Sequence, residues 1–185
     1  MIRRVNIASK VVLTALIVVS LVFGQADRYR DKAMGARAIA YPFLCAIPVM
    51  LFLGLRAARR PIAYPHAGDA LLTAPFVLDL AGNALDLFDS VSWWDDLLHF
   101  ANWLLIGLAL AQVLPRSLPG WVRGWMIAGF GAFAAVAWEL AEYSTFVLKL
   151  EQVGIYRDTI GDLSLGSGGA LLAGALVTIA NRRAR

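Results

Sequence analysis

The side chains of this sequence that could do chemistry are mostly carboxylates, joined by His99, and they lie within or at the ends of apolar segments. Asp95 and His99 are four residues apart, and Glu139 and Glu142 are three residues apart. Residues at these spacings share one face of a helix. The other members of the set are Asp79, Asn83, Asp86, Tyr143, Asp158 and Asp162.

An oxygen-rich set of this kind is typical of a divalent-cation site, with Mg²⁺, Mn²⁺ or Ca²⁺ as the candidates. A bound ion would hold a lipid phosphate and stabilise the charge that develops on it. A structural zinc site is not expected, because it needs several Cys or His ligands and the chain has one Cys and two His. Without an ion, a carboxylate, or His99 oriented by Asp95, would serve as general acid or base.

Each residue of the set has an expected role. The expected catalytic residues are Glu139, His99 and Asp162. The expected metal ligands are Asp79, Asp86, Asp95 and Asp158. Arg157 is the expected fork for a phosphate or carboxylate group. The other expected substrate-binding residues are Asn83, Glu142 and Tyr143.

Simpler interpretations stay open for several polar residues. Asp95, Asp96 and Asp158 stand at predicted helix starts, where an acid caps free N–H groups and favours the helix dipole. Asn102 is expected to form a hydrogen bond between helices. The acids assigned to loops, with no special role, are Asp27, Asp31, Asp69, Asp89 and Glu151, and His66 is likewise expected to be a solvated loop residue.

The composition indicates a membrane protein. Of the 185 residues, 59% are hydrophobic and 16% are charged, whereas soluble domains are about 45–50% apolar and about 25% charged. This balance argues against a soluble globular enzyme, and disorder is excluded because it needs low hydrophobicity. The net charge of +4 does not indicate nucleic-acid binding, because the basic residues form short clusters between apolar runs.

Six apolar segments are each long enough to cross a bilayer. They span about residues 7–23, 38–55, 70–88, 93–114, 121–148 and 159–180. The sequence therefore predicts an all-α, polytopic membrane helix bundle of about six transmembrane helices, forming one integral domain over 1–185. Within it, residues 1–66 hold two N-terminal helices and residues 67–185 a four-helix core. Whether the first segment is retained or cleaved as a signal peptide after Gly24-Gln25-Ala26 stays open.

The distribution of basic residues predicts the orientation. With the N-terminus in the cytoplasm, eleven of the 17 Lys and Arg residues lie on the cytoplasmic side and six on the outer side. Both termini are therefore expected to be cytoplasmic. Because successive helices then alternate in direction, the acids of segments three to six share one depth, near the outer face. The glycines of the last segment, from Gly161 to Gly174, would let that helix approach its neighbours closely.

Acids at such a depth are energetically expensive, so their gathering is informative. A carboxylate at the centre of a bilayer costs about 2.5–3.5 kcal/mol on insertion scales. Residues of this kind normally face a bundle interior or a watery cavity and serve a function there. We therefore expect one acidic pocket, opening to the outer face and lined by helices three to six.

At these residues the chain resembles the VanZ-like superfamily of small bacterial membrane proteins, and in particular its YjdF-like branch. The shared pattern is an Asp followed by His-Phe, a Glu within an apolar helix, and an acidic stretch that leads into a Gly-rich last helix. The matching residues are Asp95 with His99-Phe100, Glu139, Asp158 with Asp162, and the glycines from Gly166 to Gly174. The upstream Asp79, Asn83 and Asp86 favour the YjdF-like branch.

The resemblance covers about residues 75–175 and implies a multi-pass protein of the bacterial inner membrane, connected with the cell envelope. The sequence departs from VanZ proteins at Glu142, in a region where they tend to carry Gln. It also departs at Gly166, where Asn is expected. These differences argue against transferring glycopeptide resistance to this chain.

Three functions are consistent with the residues. The leading hypothesis is a metal-assisted enzyme or binder of an envelope lipid or lipid-linked phosphate. The second is a small ion- or proton-coupled transporter, in which the acids form a relay. The third is an accessory envelope subunit without catalysis, whose acids only stabilise the bundle. Membrane lipid is the expected partner in each case, and assembly into a homo-oligomer stays open.

Overall fold

The computed structural model describes residues 1–60, 62–145 and 155–183, and these form an all-helical bundle. Residues 146–148, the end of the fifth predicted segment, lie outside the described residues. The helices within the described ranges are α1 (Ile2–Val22), α2 (Met34–Ala57), α3 (His66–Ala84), α4 (Leu87–Ser90), α5 (Trp94–Val113), α6 (Gly120–Thr145) and α7 (Ile155–Arg183). The predicted fold class, a polytopic helical membrane bundle, is confirmed.

Five of the described helices are long and apolar enough to cross a membrane, namely α1, α2, α5, α6 and α7. Helix α3 corresponds to the third predicted segment but differs from the other five, because its 19 residues include Asp69, Asp79 and Asn83. It packs against both α1 and α5, and this position buries much of its polar face. Five of the about six predicted segments thus match helices that are long and apolar enough to cross a membrane, and α3, which matches the third segment, lies packed between α1 and α5.

The helices alternate in direction, as contacts at one end of the bundle demonstrate. These contacts join Asn6 to Asp69, Gly68 to Gln112, and Arg123 to both Ala111 and Asn181. The starts of α1, α3 and α6 therefore lie beside the ends of α5 and α7. The opposite end of the bundle holds the end of α3, the start of α5, the end of α6 and the start of α7.

Helices α5, α6 and α7 pack closely because small residues face one another. A Cβ added at Gly124 or Gly174 would meet the backbone of the other helix, and one added at Gly166 would meet Trp103. Ala170 and Ala173, which face the same interfaces, have no exposed surface. The predicted close approach of the last helix is seen at these positions, whereas Gly161 faces open space.

Substitution Gly169→Ala is expected to destabilise the protein by about 1–3 kcal/mol. A Cβ at this position would meet the Phe100 carbonyl oxygen and the Leu104 amide nitrogen, and backbone atoms cannot rotate away as a side chain can. The measurement is thermal unfolding of both variants in detergent. The matched control is Gly161→Ala on the same helix, expected to be neutral or stabilising by up to about 1 kcal/mol. Equal effects of the two substitutions would contradict the close packing.

A buried polar network, here called the Asp69 cluster, joins α1 to α3 at the end of the bundle where both helices begin. It consists of Asn6, Lys10, Tyr64 and Asp69. Asn6 Nδ2 donates to the Asp69 carboxylate at 2.8 Å, Tyr64 donates its hydroxyl at 2.6 Å, and Lys10 Nζ lies 2.9 Å from the other carboxylate oxygen. Burial and the adjacent carboxylate raise the pKa of Tyr64, so its hydroxyl remains a donor.

The Asp69 cluster corrects the prediction that Asp69 and His66 are loop residues. Asp69 is 1% exposed and lies in the first turn of α3, while His66 begins that helix and its Nδ1 lies 3.3 Å from Asn6 Nδ2. The helix begins at His66, four residues before the predicted apolar segment, because Asp69 is neutralised by groups from α1 and from the α2–α3 connection. A search of the sequence for apolar segments does not detect a helix start that contains a charged residue.

Candidate functional site

The end of the bundle opposite the Asp69 cluster carries a second polar group, here called the His99 cluster. It consists of Asp95, His99, Glu139, Glu142 and Asp162. The first turns of α5 supply the Asp and His, the last turns of α6 supply both Glu residues, and α7 supplies the second Asp. Helical spacing places each pair on one face, and the close packing of α5, α6 and α7 turns these faces toward one another.

Three carboxylates surround the His99 imidazole. Nε2 lies 3.8 Å from Asp95 Oδ1 and 3.6 Å from Asp162 Oδ1, while Nδ1 lies 3.8 Å from Glu139 Oε1. These separations are longer than hydrogen bonds. The side chains of His99 and Glu139 are each 11% exposed and that of Asp162 is 7% exposed, whereas Asp95 is 49% exposed. The cluster is therefore mostly buried and reaches solvent through Asp95.

The spacing of the cluster fits a metal ion. Two groups of three residues share His99, and within each group the possible ligand atoms lie within 4.8 Å of one another. The first group is Asp95, His99 and Asp162, and the second is His99, Glu139 and Glu142. Two ligands bound at about 2.1 Å with a tetrahedral angle stand about 3.5 Å apart. The N···O distances around His99 are close to that value. One imidazole with several carboxylates is a donor set suited to a divalent cation.

Next to the cluster, Asp79 of α3 is bound by two residues of α2, and the three are here called the Arg37 triad. Arg37 Nε donates to Asp79 Oδ2 at 3.1 Å, and the Tyr41 hydroxyl donates to the same oxygen at 2.6 Å. Arg37 Nε also lies 3.2 Å from the Tyr41 hydroxyl. The triad thus places a guanidinium group beside the acids. Sequence reasoning missed Arg37 and Tyr41, although their four-residue spacing within an apolar helix was a usable signal.

A cavity of about 490 Å³ joins the two polar groups. Its walls come from α2, α3, α5 and α6 and are mostly apolar. Its charged lining residues are Arg37, Asp79, Asp95, His99 and Glu142. Asn102 also lines the cavity, and its Oδ1 has no hydrogen-bond partner among the described residues, so the expected bond between helices is absent for this oxygen.

Some expected site residues lie apart from the cavity. Asp86 is exposed, because α3 ends at Ala84 and the chain turns at Asp86 with φ of 60°. Asp79 and Asn83 therefore lie in α3 as expected, whereas Asp86 lies beyond the end of the helix and does not share their face. Asn83 is 1% exposed and donates to the Asp79 carbonyl oxygen, so it supports α3 from within.

Three expected residues near the end of α6 and the start of α7, Tyr143, Arg157 and Asp158, are also separate from the cavity lining. Tyr143 is 53% exposed, and Arg157 and Asp158 are exposed in the first turn of α7. The structure therefore brings together five predicted residues as the His99 cluster, with Asp79 beside them. Arg37, rather than the predicted Arg157, is the arginine that lines the cavity.

Comparison with known proteins gives a family but no solved relative. A Thermotoga maritima protein, described as uncharacterized, is 30% identical over 79 residues, which cover 40% of this chain and 41% of that relative. The chain thus matches less than half the length of this relative. No solved structure matches the chain. The DUF2238 family, described as a predicted membrane protein, matches residues 8–183, nearly the whole sequence. The chain belongs to the DUF2238 family of membrane proteins.

Proposed function

We propose that this protein is a multi-pass protein of the bacterial inner membrane that uses a divalent cation in the His99 cluster to bind and process the phosphate group of an envelope lipid. We further propose that it falls within the YjdF-like branch of the VanZ-like superfamily. The observation that carries the proposal is the ring of carboxylates around His99, at separations of 3.6–3.8 Å. The two separations at Nε2, 3.8 Å to Asp95 and 3.6 Å to Asp162, are too long for hydrogen bonds and suit ligands of a shared ion.

The two nitrogens of His99 suggest different roles for the acids around them. Nε2, with Asp95 and Asp162, holds the cation in this proposal. Nδ1 faces Glu139, and a carboxylate at the second ring nitrogen orients a metal-binding histidine and increases its basicity. Glu139 would therefore position the imidazole.

The cation offsets an unfavourable concentration of negative charge. Four carboxylates lie close to one imidazole at the end of a membrane bundle, and like charges at such short separations repel one another. A divalent ion removes much of this repulsion and leaves coordination positions for a phosphate oxygen. Arg37, which lines the same cavity, supplies a second positive group for the phosphate.

Substitution Glu139→Gln is expected to weaken Mn²⁺ binding 10–100-fold, the usual effect of removing an outer partner of a metal-binding histidine. The measurement is a titration of the purified protein in detergent, with free Mn²⁺ followed by electron paramagnetic resonance. Asp96→Asn is the control, because Asp96 is an exposed acid in the same turn as Asp95 and belongs to neither ligand group. Equal Mn²⁺ affinity in the Glu139→Gln variant and the wild type would contradict the assigned role.

The chemical part of the proposal is tested separately from cation binding. The purified protein is incubated with phosphate-bearing lipids extracted from bacterial inner membranes, and Mn²⁺-dependent change of these lipids is followed by mass spectrometry. Turnover in detergent that is lost in Glu139→Gln and retained in Asp96→Asn supports the proposal. Flux of a substrate across liposomes that follows a pH gradient, without lipid turnover, would overturn it in favour of a carrier.

A further inference from the structure

The cavity changes from charged to apolar along the direction of the helices. On α2 its lining runs from Arg37 to Ile47, and on α6 it runs from Glu142 to Phe130. The charged ends of both walls are the ends near the His99 cluster. A lipid in a bilayer leaflet has the same order, with a polar head at the surface and hydrocarbon toward the middle. The cavity therefore matches an amphiphile that keeps the orientation it has in the membrane.

The size of the cavity suits one hydrocarbon chain. A methylene group occupies about the volume of a water molecule, roughly 30 Å³, so about 490 Å³ has room for one chain of about sixteen carbons. Ten residues separate Arg37 from Ile47, and at 1.5 Å per residue the apolar part extends about 15 Å along α2. Two acyl chains of this length would need roughly twice the volume.

The cavity opens sideways toward the surrounding lipid. Helix α2 packs against α1 and α3, and among the described residues no Cα atom of α2 lies within 8 Å of a Cα atom of α6, which forms the other wall. Phe43 and Ile47 of α2 and Phe130 of α6 line the cavity, yet they are 65%, 45% and 46% exposed. A chain can thus enter between α2 and α6 without its head crossing the bilayer.

We propose that the ligand of this cavity is a lipid with a single hydrocarbon chain that ends in a phosphate group. The chain lies between α2 and α6, and the phosphate lies between Arg37 and the cation of the His99 cluster. This inference rests on the proposed function and narrows its substrate class. Charge complementarity selects the head, because a phosphate group brings negative charge beside the Arg37 guanidinium and the proposed cation.

The test uses hexadecyl phosphate with a diazirine at the end of its chain, added to the Mn²⁺-loaded protein in phosphatidylethanolamine vesicles. After irradiation, the labelled residues are identified by mass spectrometry. Labelling is expected at the deep end of the cavity, at Ile47, Leu72 and Phe130. Substitution Ala137→Trp places a large side chain on the cavity lining and is expected to reduce this labelling at least tenfold.

A matched control separates filling of the cavity from general damage. Val136→Trp places the same side chain one residue away, at an exposed position outside the cavity lining, and is expected to label like the wild type. Ile47→Trp narrows the cavity from α2 and gives an independent arm, read at Leu72 and Phe130. The Mn²⁺ affinity of each variant is measured first, and an affinity equal to that of the wild type shows that the variant is folded.

The outcomes distinguish this inference from the proposed function. Equal labelling by the matching diazirine hexadecanol would overturn the phosphate site in favour of ordinary bilayer lipid. Equal labelling by a two-chain phosphatidic acid would overturn the single-chain assignment. Labelling of the cavity that is specific for phosphate but indifferent to removal of Mn²⁺ would overturn the proposed cation and leave the lipid site standing.

Discussion

His99→Ala is expected to weaken Mn²⁺ binding more than 100-fold while the protein still inserts and purifies folded. The imidazole belongs to both three-residue ligand groups, so its removal leaves neither group complete. The loss exceeds the 10–100-fold effect expected for an outer partner such as Glu139, because a direct ligand is removed. Lipid turnover dependent on Mn²⁺ is expected to disappear with the cation.

The chain offers a matched control in its second histidine. His66 lies at the other end of the bundle, beside Asn6, and is in neither ligand group. His66→Ala is therefore expected to keep wild-type Mn²⁺ affinity. The measurement is the same resonance titration, with circular dichroism and gel filtration to check the fold. An affinity of the His99→Ala variant within threefold of the wild type would exclude His99 as a ligand.

Asp69→Asn is expected to destabilise the protein by about 3–5 kcal/mol, because it breaks the ion pair between the buried carboxylate and the partly exposed Lys10 and weakens the hydrogen bonds from Asn6 and Tyr64. Asp69 is 1% exposed and contacts Asn6, Lys10 and Tyr64. At about 2–4 °C per kcal/mol for a chain of this size, the midpoint of thermal unfolding falls by about 10 °C. Mn²⁺ affinity is expected to persist below the new midpoint, because the His99 cluster lies at the other end of the bundle.

Two further variants give this prediction its controls. Asp27→Asn removes an acid whose side chain is 95% exposed, and its effect is expected to stay within about 0.5 kcal/mol. Lys10→Met removes the charge that pairs with Asp69 and is expected to destabilise by a similar amount to Asp69→Asn. Unfolding midpoints for Asp69→Asn and Asp27→Asn that agree within 2 °C would show that the buried network contributes little.

The presence of the membrane helices was predictable, because the length of each apolar segment can be read directly from the sequence. Segments of about 20 apolar residues must form hydrogen bonds within themselves in a bilayer, and only helices or closed barrels do so. The alternation of direction then follows from the short connections between helices. It places Asp95, Glu139 and Asp162 at the same end of the bundle. Their actual separations depend on packing of α5, α6 and α7, which Gly166 and Gly174 make close.

The position of Asp86 was not predictable from spacing. An i, i+4, i+7 pattern places residues on one face only if the helix continues through all of them. Helix α3 ends at Ala84, and Asp86 adopts a left-handed backbone that turns the chain into α4. Helix ends depend on capping and tertiary contacts, so they are the least certain part of a sequence pattern.

Asp69 and Arg37 show a different reason for failure, because their partners are distant in the sequence. Asp69 forms an ion pair with Lys10 of α1, and Arg37 of α2 forms an ion pair with Asp79 of α3. Each residue alone resembles a charge at the edge of a segment. Only the fold brings opposite charges to the same depth, and such a pair can be buried where either residue alone could not.

The sequence by itself determined the membrane class, the positions of the helices and the end of the bundle at which the acids gather. These properties follow from hydrophobic length and alternating direction, which act along the chain. The tertiary structure alone decided that the ring of carboxylates centres on His99, that Arg37 is the nearby cation, and that an apolar cavity joins them. Distances between side chains on different helices arise from packing, and packing is set by all the helices together.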